Sequence, residues 1–327
     1  MIKEVLFSKL AEINPDVIVA GSIVFYSGAL GLRWAKNNNK KFIMFDDAKP
    51  SNVKRNALVQ QVKDTITNQI DALWLPSKDY EEEYAALYST ASIHFFYGYN
   101  CIDNDLFKFK QQKRFNNRKI ICVARLVPIK NLDNLLKAWK TVEEKSDLDT
   151  LVILGDGTLN SQLTGLRDEL GLKRVEFVGA IPNDLIPQYL FDSDAFILPS
   201  WSESWGLVVN EAMAAGLPVL LSNKVNAAET LLIDGLNGYS FPPSDIQAMS
   251  EKIIQFVQLS TELKEKMSAT SLEIIDSLNY ENMGNQLLST LLLLKAMPVK
   301  KKSFIANFLI NFWDGRYNTQ GWDTVGV

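Results

Sequence analysis

Leu198-Pro-Ser-Trp-Ser-Glu-Ser-Trp-Gly-Leu-Val-Val-Asn-Glu-Ala-Met-Ala-Ala-Gly-Leu-Pro-Val219 decides the fold. Residues 194–198 run from Asp194 into the apolar Ala195–Leu198 and close on Pro199, which reads as the end of a buried strand. From Gly206 the spacing turns helical, and Gly216 with Pro218 stops the helix. Residues 218–221 then open another strand. A strand, a helix and a strand joined by short links make a parallel pair with its crossover.

The alternation extends in both directions. Upstream, the spacing predicts strands at 119–123, 150–154 and 175–178, with helices at 131–145, 158–170 and 183–191. Downstream it predicts helices near 226–233 and 245–258 and a long helical region over 261–297. The first hundred residues repeat the theme: strands at 16–20, 41–45, 72–75 and 92–96, and helices at 2–13, 24–37, 52–69 and 77–89. Between the two runs, residues 108–118 are polar and basic and bury little, so a domain boundary is expected there. The expected division is 1–112, 113–290 and a helical tail, 291–327.

Ligands of such sheets gather at the carboxyl ends of the strands. Four candidate groups stand at such ends: Arg125 with Lys130, Gly155-Asp156-Gly157, Gly179, and Glu203. Arg125 offers a bidentate fork and Lys130 a point charge, a pair suited to a diphosphate, though solvated surface charges would look the same. Trp205-Gly206-Leu207 open a helix whose free amides and dipole favour a phosphate, as any helix start would. Glu211, one turn further in, can accept from two vicinal hydroxyls of a ribose. Glu203 lies on the other side of the phosphate position, where a sugar would sit. The bland alternatives are a dipole complement and a surface ion pair. Gly155-Asp156-Gly157 is not G-x-G-x-x-G and so is no dinucleotide fingerprint. Asp46 and Asp47 end a strand in the first half and could orient an acceptor or cap the next helix. His94, inside an apolar strand, reads as a packed residue.

The bulk numbers narrow the classes further. The 327 residues are enough for two domains, and 47% hydrophobic with 22% charged residues is ordinary for a globular chain. A net charge of −4 gives no reason to expect nucleic acid. Two cysteines outside any C-x2-C unit and a single histidine make a structural zinc site or a disulfide framework unexpected. No apolar run is long enough to span a membrane.

Residues 119–242 resemble the carboxyl-terminal domain of family 4 of the retaining glycosyltransferases. The matching pieces are Ala124-Arg-Leu-Val-Pro-Ile-Lys-Asn131, Leu154-Gly-Asp-Gly157, Phe177-Val-Gly179, the run 198–219 with its Glu-x7-Glu element, and Glu229-(x)8-Gly238. The resemblance implies a GT-B fold, two Rossmann-like doubly wound domains facing a cleft, with the N-terminal one shortened. It implies an enzyme that moves a sugar from a nucleotide-sugar, UDP being the first expectation and GDP the second, to a saccharide or lipid-linked acceptor. Arg125 and Lys130 would grip the diphosphate, Glu211 the ribose, and Glu203 the donor sugar. Gly206 and Leu207 would offer amides, and Gly179, Ala180 and Ile181 would face the base. Trp205 and Gly155 complete the donor set, and Asp46 stands by position near the donor sugar. No metal or other cofactor is implied, since the cations take its place, and the anomeric configuration would be retained.

Residues 1–100 match the family more loosely, and Met1 opens directly on a helix where relatives begin with a strand. A missing partner or an oligomer could complete that domain. In the tail, Lys300-Lys-Lys302 precedes an amphipathic run, Phe304 to Trp313. The run would either pack on the first domain or lie on an anionic membrane surface. The expected location is cytoplasmic, peripheral at the inner membrane face. Two other readings stay open: a binding or scaffold relative that needs a partner chain, and a sugar-nucleotide epimerase.

Overall fold

The structure, a computed structural model, describes residues 2–52, 57–88, 93–109, 115–146, 149–300 and 303–315. Residues 110–114 of the expected linker, and Lys301 and Lys302 of the basic cluster, lie outside the described residues. The chain divides into two compact units. Among the described residues, Asn100–Tyr280 forms one, and residues 2–99 with 281–315 form the other.

The first unit opens with α1 (Ile2–Ile13), β1 (Val17–Gly21), α2 (Tyr26–Asn37), β2 (Lys41–Phe45), α3 (Ala57–Thr67), β3 (Ala72–Leu75), α4 (Glu81–Ala85) and β4 (His94–Tyr97). Its strands pair in parallel and in chain order, β1-β2-β3-β4. Crossovers of one hand that all step the same way collect their helices on one face. That face carries Ile18, Ala20 and Phe42. α2 lies against it at Gly31, where an added Cβ would stand 3.2 Å from the Phe42 ring. α1 is different: none of its residues is buried, and Ile2, Val5 and Ile13 are exposed.

The second unit holds β5 (Lys119–Val123), α5 (Leu132–Lys145), β6 (Thr150–Leu154), α6 (Asn160–Leu170), β7 (Val175–Gly179), α7 (Ile186–Phe191) and β8 (Ala195–Leu198). It continues with α8 (Leu207–Ala214), β9 (Val219–Ser222), α9 (Ala228–Leu231), β10 (Gly238–Phe241), α10 (Ile246–Val257) and α11 (Thr261–Asp276). The strands order as β10-β9-β8-β5-β6-β7, all parallel. The chain walks outward from β5 to β7, returns to the other side of β5 with β8, and walks out again to β10. The order therefore reverses between β5 and β8, and such a reversal leaves a crevice at the carboxyl ends of the two strands. The core beneath it is apolar and closed: Ile120, Cys122, Leu135, Trp139, Ile153 and Ile197 are all buried. β10 is not among the expected strands; it pairs with β9 from Gly238 to Phe241.

α12 (Tyr280–Ala296) and α13 (Phe304–Phe312) return to the first unit. α12 covers the second face of its sheet, where Leu294 packs with Ile43, Ala72, Trp74 and Phe96, and Met283, Leu287 and Leu291 close over them. The unit boundaries thus fall at Tyr99/Asn100 and Tyr280/Glu281, against the 112/113 and 290/291 read from the sequence. The reason is local. Asn104 Nδ2 donates to the carbonyls of Ile275 (3.0 Å) and Leu278 (3.2 Å), and Lys108 pairs with Asp276 at 2.8 Å. These contacts tie residues 100–108 to α11 ahead of the polar stretch. The expected long helix over 261–297 breaks at 277–279, and the break is where the chain changes units.

Candidate functional site

The loops that leave β5, β6 and β7 are knitted together at their roots. Gly155 N donates to Gly179 O at 2.9 Å, and Leu126 N donates to Asp156 O at 2.9 Å. Gly155 has φ +135°, and a Cβ there would stand 2.0 Å from the Ala124 carbonyl oxygen. At Gly157 a Cβ would meet Leu126 O at 2.5 Å. Both glycines are therefore required by the close approach of two backbones. Expected as a ligand residue, Gly155 acts here as the bed on which the Arg125 loop rests. Arg125 itself is exposed, at the carboxyl end of β5.

Across the reversal, three contacts join the β5 loop to the β8 loop. Trp201 N donates to Ile129 O at 2.8 Å. Asn131, fully buried and left-handed at φ 57°, donates from Nδ2 to Pro199 O (3.0 Å) and Pro243 O (2.8 Å). Lys130 Nζ pairs with Glu203 Oε1, and the side chains are 15% and 14% exposed. Ser200 Oγ donates to the same Oε1 at 2.8 Å. The crevice thus holds a nearly buried cation whose partner is the carboxylate proposed for a sugar.

Beside them, α8 begins. Gly206 caps it in the left-handed region at φ 98°. Val209 N already donates to Gly206 O at 2.8 Å, so Leu207 and Val208 carry the amides ahead of the first helical bond, and the dipole adds partial positive charge there. Leu207 is exposed and Gly206 half-buried. Glu211 sits in the next turn, and burial pushes its carboxyl up to about 7. Its titration has a definite sign. A carboxyl raised by burial favours the unliganded fold when protonated, and that contribution is lost as pH rises from about 4.5 through about 7. Hydroxyl donors from a ribose would instead favour the ionised form. Affinity for a ligand that donates hydroxyls to Glu211 is therefore expected to fall up to about tenfold between pH 8 and pH 6, with Glu211→Gln showing a flat profile. Calorimetry in buffers of different ionisation enthalpy would show the linked proton, and a parallel profile in the variant would remove Glu211 from the binding step.

Trp205 occupies a different place from the other donor residues. Its indole is buried, and Nε1 donates to Asn210 Oδ1 at 2.9 Å. Asn210 in turn donates to Asn100 O at 3.0 Å. The indole is thus held inside the fold, and the Trp205 carbonyl accepts from Ala227 N at 3.3 Å. Gly179, left-handed at φ 84°, leads from β7 into exposed Ala180 and half-buried Ile181. Asn131, Ser200 and Asn210 carry no role in the sequence reading. The available signal was a polar residue inside an otherwise apolar, tightly punctuated run.

Asp46 and Asp47 belong to the first unit. Asp46 N donates to Trp74 O at 3.2 Å, and its Oδ1 accepts from Ala48 N at 3.1 Å. Burial, then the neighbouring Asp46 charge, pushes Asp47 up to about 6. His94 packs parallel to Phe96, with centroids 6.1 Å apart, and burial holds its imidazole below the usual range.

Two parallel-sheet units, one with an order reversal flanked by cations and a helix start, define a GT-B fold. A UDP complex of Alr3699/HepE from Anabaena superposes with a TM-score of 0.75 at 20% identity, over 89% of this chain and 82% of that one. Residues 103–273 match the family described as Glycosyl transferases group 1, and the chain belongs to that family. The GDP-mannose-dependent alpha-(1-6)-phosphatidylinositol monomannoside mannosyltransferase of Mycobacterium tuberculosis is 31% identical over 158 residues, 41% of each chain. The sulfoquinovosyl transferase SQD2 of Arabidopsis thaliana is 28% identical over 268 residues, 76% of this chain and 51% of its own length. The chain thus spans about half or less of the length of these two relatives.

Proposed function

We propose that the protein is a retaining glycosyltransferase that moves a sugar from a nucleotide-sugar, UDP-linked in the first instance, to a saccharide or lipid-linked acceptor. The reading rests on one observation above all. Strand order reverses between β5 and β8, and the Lys130–Glu203 pair ties together the loops that leave those two strands, one carrying Arg125 and the other leading into α8 with Glu211. Arg125 and Lys130 meet the diphosphate, so no metal is called for. The α8 amides add to them, Glu211 holds the ribose and Glu203 the donor sugar. Gly179, Ala180 and Ile181 border the base.

In the transfer step the bond from the sugar's anomeric carbon to the diphosphate oxygen breaks with its electron pair. The acceptor oxygen bonds to that carbon on the same face. The acceptor proton passes to the departing phosphate oxygen, so the chain need not supply a general base. Negative charge grows on the diphosphate, and pre-placed cations stabilise that growth. A relative named for mannosyl transfer to a phosphatidylinositol mannoside makes lipid acceptors a natural class. The proposed place of action is the cytoplasmic side of the membrane.

The test is a thermal-shift panel of UDP-, GDP- and ADP-sugars. The matching donor at 100 times its Kd should add ~2.7 kcal/mol of stability. A panel in which no activated sugar moves the unfolding midpoint would end the proposal, and a product of inverted anomeric configuration would end its retaining half. A second reading, a relative that works only with a partner chain, draws on α1, which buries no residue, and on β1, which lies at a sheet edge with Val19 exposed. Turnover by the purified chain alone decides against it. Among the described residues no helix is long and apolar enough to cross a membrane.

A further inference from the structure

The geometry points to α13 as a docking helix that seats the first unit on an anionic bilayer, independently of what the second unit binds. Phe304 (88%), Ile305 (65%), Phe308 (55%) and Phe312 (72%) are exposed. At about 100° per residue they span an arc of about 100° on one side of the helix. Ala306, Ile310 and Trp313, on the other side, are buried. Four large apolar side chains on three turns form the kind of contiguous patch that marks an interaction surface.

The patch is held outward. Ser303 caps the helix, its Oγ accepting from Ala306 N at 3.1 Å. Buried Arg33 of α2 donates from Nε to Ile310 O (3.0 Å) and from Nη2 to Trp313 O (2.8 Å) and to Asp314 Oδ1 (2.8 Å). Trp313 Nε1 donates to Ile23 O at 2.7 Å. Rolling the helix to bury its phenyl rings would break all of these and leave the buried Arg33 guanidinium without partners, a costly outcome. Upstream, Lys41 Nζ donates to Pro298 O at 2.6 Å, and Lys300 Nζ donates to Ile70 O and to Asn68 O. The segment entering α13 is therefore clamped as well.

Charge selects the occupant. Residues 295–313 contain no acidic residue and four lysines; the ammonium of Lys300 is taken by the Ile70 and Asn68 carbonyls, and Lys295, Lys301 and Lys302 make the segment basic in a chain whose net charge is −4. A basic segment leading into an aromatic face is the chemistry of an interfacial helix on anionic lipid. A neutral apolar partner would not need the lysines, and a second copy would bring its own lysines against them.

The full chain is expected to cosediment with 1:1 phosphatidylcholine–phosphatidylglycerol vesicles at about 0.1 M salt, and much less with phosphatidylcholine alone. Raising the salt to about 0.5 M should release it. Phe308→Ser with Phe312→Ser should lower the partition coefficient at least about tenfold, with an unfolding midpoint unchanged because both rings are exposed. Three results would overturn the inference. One is no binding to anionic vesicles. Another is equal binding by variant and parent, or by neutral and anionic vesicles. The third is light scattering that shows a dimer which the double variant dissociates.

Discussion

Arg125→Ala should lower turnover by roughly 10²–10³-fold while leaving the unfolding free energy within about 0.5 kcal/mol of the parent. The two halves of that expectation come from different observations. Arg125 is exposed at the carboxyl end of β5, and substitutions at exposed positions usually change stability by no more than about 0.5 kcal/mol. In the proposed transfer the leaving diphosphate, in contrast, would accumulate charge only as the sugar bond breaks, and a fork at residue 125 would act mainly on that step. Lys130→Ala should cost a similar factor in rate but behave differently in stability. Its removal leaves the Glu203 carboxylate, 14% exposed, with Ser200 as its remaining contact in the crevice. Steady-state rates together with urea unfolding separate the two. Full turnover in Arg125→Ala would remove that residue from the reaction, and an unaltered stability in Lys130→Ala would mean the ion pair contributes nothing to the fold.

Gly155→Ala is expected to destabilise the second unit by about 3–5 kcal/mol, or to prevent its folding. The obstruction is backbone: the new methyl would stand 2.0 Å from Ala124 O and 2.9 Å from Ala124 C. No rotamer change relieves it, so the loop carrying Arg125 must move. Gly171 is the control. It is left-handed at φ 71° with nothing within 4 Å of the added carbon, and alanine there should cost only about 1 kcal/mol. Denaturant titration of both variants tests the difference. Equal, small losses would show that the β5 and β6 loops are not locked as described.

The crevice was legible because its parts are local. A strand end, a punctuating glycine and a helix start can be read from a few consecutive residues, and the reversal brings together strand ends that the sequence reading already marked. What depends on distant pairing was not legible. β10 is four residues, Gly-Tyr-Ser-Phe, and lacks the apolar run that flags a buried strand; β9 alongside makes it one. Trp205 stands in the middle of the signature motif, yet its side chain turns inward to Asn210, since an indole that can satisfy its N–H packs well in a core. Lys130 and Glu203 are 73 residues apart, and nothing in either segment announces that they pair. α12 continues α11 in periodicity, so only the break at 277–279 and the apolar face of the first sheet reveal where it belongs.

The interrupted layout of the first unit bears on how the chain is made. Its strands leave the ribosome first, but Trp74, Phe96 and Ile43 stay uncovered until Leu287 to Leu294 have been translated. The contiguous block from Asn100 to Tyr280 can meanwhile complete itself. The unit whose strands are made first therefore finishes last, and those strands spend nearly two hundred codons of elongation as a sticky half-sheet, the interval in which a chaperone would have most to do.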